Sequence, residues 1–149
     1  MNNKMIKIYI KGDYNYKLNL SGWSYLISDE NDNIIKIEDD ILKNITSPRI
    51  EIISLLEALK FISNNYSNFK DIEIISNNKN IIDSLEKWLD GWANQNFKYN
   101  KNSDLWIQIY QILQTYSNIK YIWLSKNEKN KNMEVIKSLS FKNSFNNFI

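Results

Sequence analysis

Residues 47–62 read SPRIEIISLLEALKFI. Ile52, Leu55, Leu56, Leu59 and Ile62 recur at three- and four-residue spacing, which places them along one face of an α-helix. Ser47 is suited to cap that helix, and Pro48, with φ preset and no amide proton to lose, to begin it. A single apolar stripe must be covered by another element, so the flanking segments decide the fold.

Upstream, apolar residues cluster mostly in alternation at Met5, Ile6, Ile8 and Ile10, at Trp23, Tyr25 and Ile27, and at Ile35, Ile37 and Ile41. That period predicts three strands, with Gly12 to Ser21 and Asp29 to Asn33 as turns of an antiparallel meander. Downstream, Ile72, Ile74 and Ile75 predict a fourth strand, and Ile81, Ile82, Leu85 and Leu89 a helix resembling half of a parallel crossover. After the polar stretch Asp90 to Ser103 come a helix around Leu105 to Leu113, a strand at Ile119 to Leu124 and a last helix near Met133 to Leu139. The order βββαβααβα is that of an α/β chain, with a mixed five-stranded sheet (three antiparallel strands, then two parallel) flanked by helices. The 149 residues suit a single domain, with its core over about 4–140 and a polar tail at 141–149.

Composition narrows the chemistry. The chain has no cysteine and no histidine, so thiolate sites, disulfides and an imidazole base are excluded and any hydrolytic chemistry must rest on carboxylates. A formal charge of +2 is small for a purely electrostatic nucleic-acid binder. Arg49 is the only arginine, so lysines must make most phosphate contacts. Abundant Asn, Ile and Lys suggest an AT-rich genome and make single surface Asn or Lys residues weak signals. No run of about 18 apolar residues appears, and Met1 to Lys7 mixes polar with apolar residues. The expectation is a soluble, intracellular protein with no membrane partner.

Four segments together resemble type 1 ribonucleases H. IYIKGDYNYKLNLSGWSYLI stands where that family has its first hairpin, and SPRIEIISLLEAL is similar to its NNRMELMAAIEAL helix. SNNKNIIDSLEKWLDGW stands where TDSQYVxxxIxxWxxxW is expected. SDLW, then IKYIWLSKNEKNKNMEVIKSLS, fits VDLW and the closing WVKGHxGxxxNExxDxLA. The resemblance covers nearly the whole chain and implies a ribonuclease H-like fold. In that family four clustered carboxylates hold two Mg²⁺ ions that activate a water and stabilise the leaving oxygen.

Carried over position by position, that cluster is broken. Ungapped spacing from Gly22-Trp23 puts Lys11 in place of the first aspartate; Glu51 keeps the helix glutamate; Asn77 replaces the next aspartate and Lys137 the last. The family's mobile histidine falls at Asn127. One carboxylate and one amide beside two ammonium groups are too few oxygen ligands for a hard cation, so no metal and no cofactor are expected. The expectation is that Lys11 or Lys137 pairs with Glu51, an internal ammonium standing in for the metal. A two-residue hairpin shift would instead bring Asp13 to the first position, with Glu134, one turn before Lys137, as a further acid; Mg²⁺ is expected only in that alternative.

The resemblance also implies a nucleic-acid surface. The asparagines with which that family reads the hybrid's minor groove are here Ser47 and Pro48; Thr46 and Arg49 stay in register to meet a phosphate, and Trp88, Trp92, Phe97 and Lys98 stand at the protruding handle that grips the DNA strand of a hybrid. Each has a plainer role: Arg49 as an anchor of its helix, Trp88 and Trp92 as a packed pair four residues apart. Trp106 and Trp123 are expected in the core. The reading preferred from the sequence is a catalytically inactive domain acting by binding to nucleic acid (an RNA/DNA hybrid or structured RNA) or within a nucleoprotein assembly. The alternatives are a structural or protein-interaction subunit, and an active RNA/DNA-hybrid endoribonuclease with a rearranged metal site.

Overall fold

A computed structural model describes residues 5–66, 71–98 and 100–145. Three strands, β1 (Met5–Asn15), β2 (Leu20–Ser28) and β3 (Ile34–Lys43), form an antiparallel meander. The helix α1 (Ser47–Asn65) leads to β4 (Asp71–Ser76), which pairs parallel to β1. Next come α2 (Lys79–Asp83), a π-helical turn over Ser84–Trp88, α3 (Leu89–Asn94) and α4 (Ser103–Leu113). The edge strand β5 (Asn118–Trp123) pairs parallel to β4, and α5 (Lys131–Phe145) closes the chain. The sheet order is β3-β2-β1-β4-β5, the mixed five-stranded α/β sheet expected from the sequence.

The two faces of β1 build two cores, because successive side chains point to opposite sides of a sheet. Ile6, Ile8 and Ile10 join Leu55, Leu59 and Ile62 of α1 on one side. Tyr9 joins Leu26, Ile75, Met133 and Ile136 under α5 on the other. Sandwiched between both helices, β2 is buried along its whole length, while the edge strand β3 stays largely exposed.

Several boundaries differ from the sequence reading. The turn expected over Gly12 to Ser21 shrinks to four residues, since β1 runs on to Asn15 and β2 starts at Leu20. Asp13 therefore pairs with Gly22 in the ladder instead of sitting in a loop. The N-cap of α1 is Thr46, in extended conformation, and Ser47 is already helical. The polar tail expected from residue 141 is helix as far as Phe145; residues 146–149 lie outside the described residues. The sequence hides this extension because, beyond the apolar pair Met133 and Ile136, α5 docks through Ser140, Asn143 and Ser144, all buried. Gly22 makes that docking close: a Cβ there would collide with the Ser140 carbonyl and come within 2.6 Å of Asn143 Cβ.

Candidate functional site

At the carboxyl ends of β1 and β4 a cleft of about 430 Å³ opens between the end of β1, the start of α1, the β4–α2 turn and the loop before α5. Gly12 makes its floor. A Cβ at Gly12 would lie 2.8 Å from Ile50 Cγ2 and 2.9 Å from the Glu51 amide nitrogen, so only glycine lets β1 approach the first turn of α1 this closely.

That approach fixes Glu51. Its side chain is 3 % exposed, Oε1 accepts from the Gly12 amide at 3.2 Å and Oε2 from the Ser76 hydroxyl at 2.6 Å. The Ser76 hydroxyl in turn accepts from the Asn78 amide at 2.9 Å, so a chain of hydrogen bonds ties α1 to the end of β4. Burial pushes the Glu51 carboxyl above the usual carboxylate range, opposed by the Ser76 hydroxyl, the Lys11 charge and the Gly12 amide.

The expected ion pair to Glu51 does not form. Lys11 lines the cleft and acts on Glu51 through space, while Lys137 pairs with Glu134 at 3.4 Å, one helical turn away. Hydrogen-bond donors, not an ammonium, satisfy the buried carboxylate. Asp13 does enter the cleft; burial pushes its carboxyl up, against the charges of Lys11 and Lys137. Glu134 is exposed and outside the cleft lining. Asn77 lines the cleft, and its carbonyl accepts from Trp123 Nε1 at 3.3 Å; Asn127 is exposed in the loop before α5.

Among the described residues no three His, Cys, Asp or Glu side chains come together as metal ligands. Both Glu51 oxygens already hold protein donors, and Lys11 faces the same space. This donor set does not fit a pair of divalent cations.

The expected nucleic-acid surface divides. Arg49 makes a two-pronged pair with Asp104, at 3.0 and 2.5 Å, and also donates to Asn102 Oδ1 at 3.1 Å, so it fastens α1 to α4. Thr46 is exposed beside the cleft end of α1. Trp92 packs edge-on against buried Trp106, centroids 5.6 Å apart, and Phe97 packs against Tyr110 at 5.9 Å. Trp88, at the end of the π-helical turn, is 46 % exposed with its ring tilted against Trp92, centroids 6.3 Å apart, and Lys98 is exposed on the turn after α3.

Trp106 is in the core as expected, at 4 % exposure, but Trp123 is not. Its indole is 44 % exposed, because β5 is the sheet edge and the neighbouring α2 is only beginning at that level. Lys79 and Lys126, which line the cleft, also escaped the sequence reading. Lysine is so frequent in this chain that only position in three dimensions distinguishes them.

Comparison with known proteins agrees with this architecture. The sequence matches the RNase H family model over residues 3–140. It is 26% identical over 121 residues to a ribonuclease H of Campylobacter jejuni, spanning 81% of this chain and 78% of that protein. The RNase H1 of the archaeon Halobacterium salinarum superposes with a TM-score of 0.72 at 13% identity, over 95% of this chain and 98% of that one. LC11-RNase H1, solved in complex with an RNA/DNA hybrid, superposes at 0.68 with 17% identity, over 92% and 97%. The fold, the order of its motifs and the family match agree: the chain belongs to the RNase H family.

Proposed function

We propose that this chain is a nucleic-acid-binding member of the family that does not cleave its ligand. One observation carries the reading: Glu51 is buried with both oxygens held by Gly12 and Ser76, and lysines stand in the cleft around it. Hydrolysis of a phosphodiester needs a group to activate water and positive charge to stabilise the departing oxygen. Glu51 has no free oxygen for the first task. The lysines supply charge for holding a phosphate, though not in the two-ion geometry that organises an in-line attack. Nucleic acid as the ligand is supported by the family and by a structural neighbour solved with an RNA/DNA hybrid. Thr46, Trp88 and Lys98 are exposed and are candidates for contacts outside the cleft, whereas Arg49 is engaged by Asp104 and Asn102, and Trp92 and Phe97 pack on Trp106 and Tyr110.

A second reading, a protein-interaction subunit, draws on Phe141 and Phe145. These rings lie 4.6 Å apart on α5 and are 58 % and 39 % exposed. One experiment separates the readings: a labelled RNA/DNA hybrid is incubated with Mg²⁺ or Mn²⁺ for cleavage, and titrated in EDTA at two salt concentrations for binding. Salt-sensitive binding without cleavage is the expected result. Cleavage abolished by Glu51→Gln would overturn it in favour of an active hybrid endoribonuclease, and absence of both signals would favour a protein partner.

A further inference from the structure

Lys79 and Lys126 line the cleft, and Trp123 stands beside it, next to Asn77 and Lys79 of the lining. Trp123 is an exposed indole whose ring is held in place, since its Nε1 donates to the Asn77 carbonyl at 3.3 Å. The Lys79 ammonium stands 5.9 Å from the centroid of that ring, and both Asn77 and Lys79 line the cleft. Lys11 and Lys126 complete the basic lining, and among the described residues neither forms an ion pair. Lys79 is shared with Asp83 at 3.2 Å.

These features meet two separate requirements of one ligand class. A backbone phosphate needs fixed or nearby cations, and three lysines outnumber the two acids of the cleft, Asp13 and Glu51. An aromatic ring fixed in place and open to solvent offers a stacking surface to a base. Bases inside a duplex are already stacked on their neighbours and gain nothing from such a ring; an unpaired base does. We infer that the cleft binds a single nucleic-acid strand without a divalent cation, a phosphate lying among Lys11, Lys79 and Lys126 and an adjoining unpaired base stacking on Trp123. This inference rests on the binding reading above and narrows it to unpaired strands. Burial of Asp13 and Glu51 helps, because it disfavours the negative charge that would otherwise repel the phosphate.

The test uses the full chain in EDTA, with fluorescein-labelled oligo(dT) and oligo(U) of about twelve nucleotides, a length that spans one small binding surface. An RNA/DNA hybrid of the same length serves as the comparison. Both single strands should bind, and Lys11→Gln with Lys126→Gln should weaken them about tenfold or more and flatten the dependence of affinity on salt. Trp123→Ala should weaken the single strands about tenfold while leaving the hybrid within about twofold, and Trp123→Phe, which keeps a ring, should recover most of the loss. If one strand binds and the other does not, the inference holds for that sugar alone. Hybrid binding with no single-strand binding overturns the inference and leaves the broader reading standing, whereas failure of every nucleic acid to bind removes both. Single-strand binding that ignores the lysine and tryptophan variants overturns the assignment of this cleft. Because Trp123 and Lys126 are exposed, these variants should fold, which circular dichroism checks.

Discussion

Glu51 is a charge with an unusual position: buried, acidic and satisfied by two neutral donors. Burial raises its carboxyl above the usual range, so the folded chain holds this proton more tightly than the unfolded chain does. The stability this proton contributes is fully present below the unfolded carboxyl value, about 4.3, and is lost as pH rises through the folded one. Asp13 contributes with the same sign. Glu51→Gln, which cannot ionise, should therefore flatten the dependence of stability on pH. Urea denaturation at pH 5, 7 and 8 measures this; a variant whose stability varies with pH as steeply as the parent's would mean that Glu51 holds its proton no more tightly in the folded chain than in the unfolded one. The resemblance of SPRIEIISLLEAL to the family's helix marked Glu51 but not its partners, since Gly12 and Ser76 are distant in the chain and meet it only once the sheet forms. Trp123 was illegible for the same reason. Strand periodicity says that a residue is in a strand, not that the strand lies at an edge.

Between elements, contact is decided by missing atoms as much as by side chains present. Gly12 admits α1 to β1, and its replacement by alanine forces the methyl into the Glu51 backbone. Gly12→Ala should cost about 2–3 kcal/mol in denaturant unfolding, and should also free Glu51 to titrate nearer its ordinary range. The clamp from Arg49 to Asp104 and Asn102 is mostly solvent-accessible, so Arg49→Ala should cost less, about 0.5–1 kcal/mol, and less again at high salt. Helical spacing in SPRIEIISLLEAL marked α1, and alternation marked the strands, because both elements bury apolar side chains. By contrast α5 was read short. It docks on Gly22 through serine and asparagine, and Asn143 reaches Asp39 at 3.0 Å, contacts that no hydrophobic pattern announces. The π-helical turn at Ser84–Trp88 was equally silent in the sequence, although Trp88 and Trp92 do form the ring pair that their spacing suggested.

On the scale of the molecule, the layers that position the cleft superpose on those of solved RNase H1 structures, and the resemblance to the family implies acids where this chain has Lys11, Asn77 and Lys137. Restoring acids should therefore reinstate cation binding. In the variant Lys11→Asp, Asn77→Asp, Lys137→Asp, the new carboxylates join Glu51 and repel one another, so stability should fall without metal and Tm should rise by several degrees with Mg²⁺. Calorimetry with Mn²⁺ should show binding by the variant and none by the parent; a variant that ignores metal would mean that the backbone of the cleft does not suit a cation. The glycines carry a last consequence. Gly12 and Gly22 lie on adjacent strands, one register step apart, and one brings α1 down on the sheet while the other brings α5 down from the opposite side. There three layers approach backbone to backbone, a waist in the stack. A layer pinned at its waist cannot peel away alone, so the two helices should open together. The amides of α1, β2 and α5 should share a single opening free energy in native-state hydrogen exchange, with the exposed edge strand β3 free to fray ahead of them.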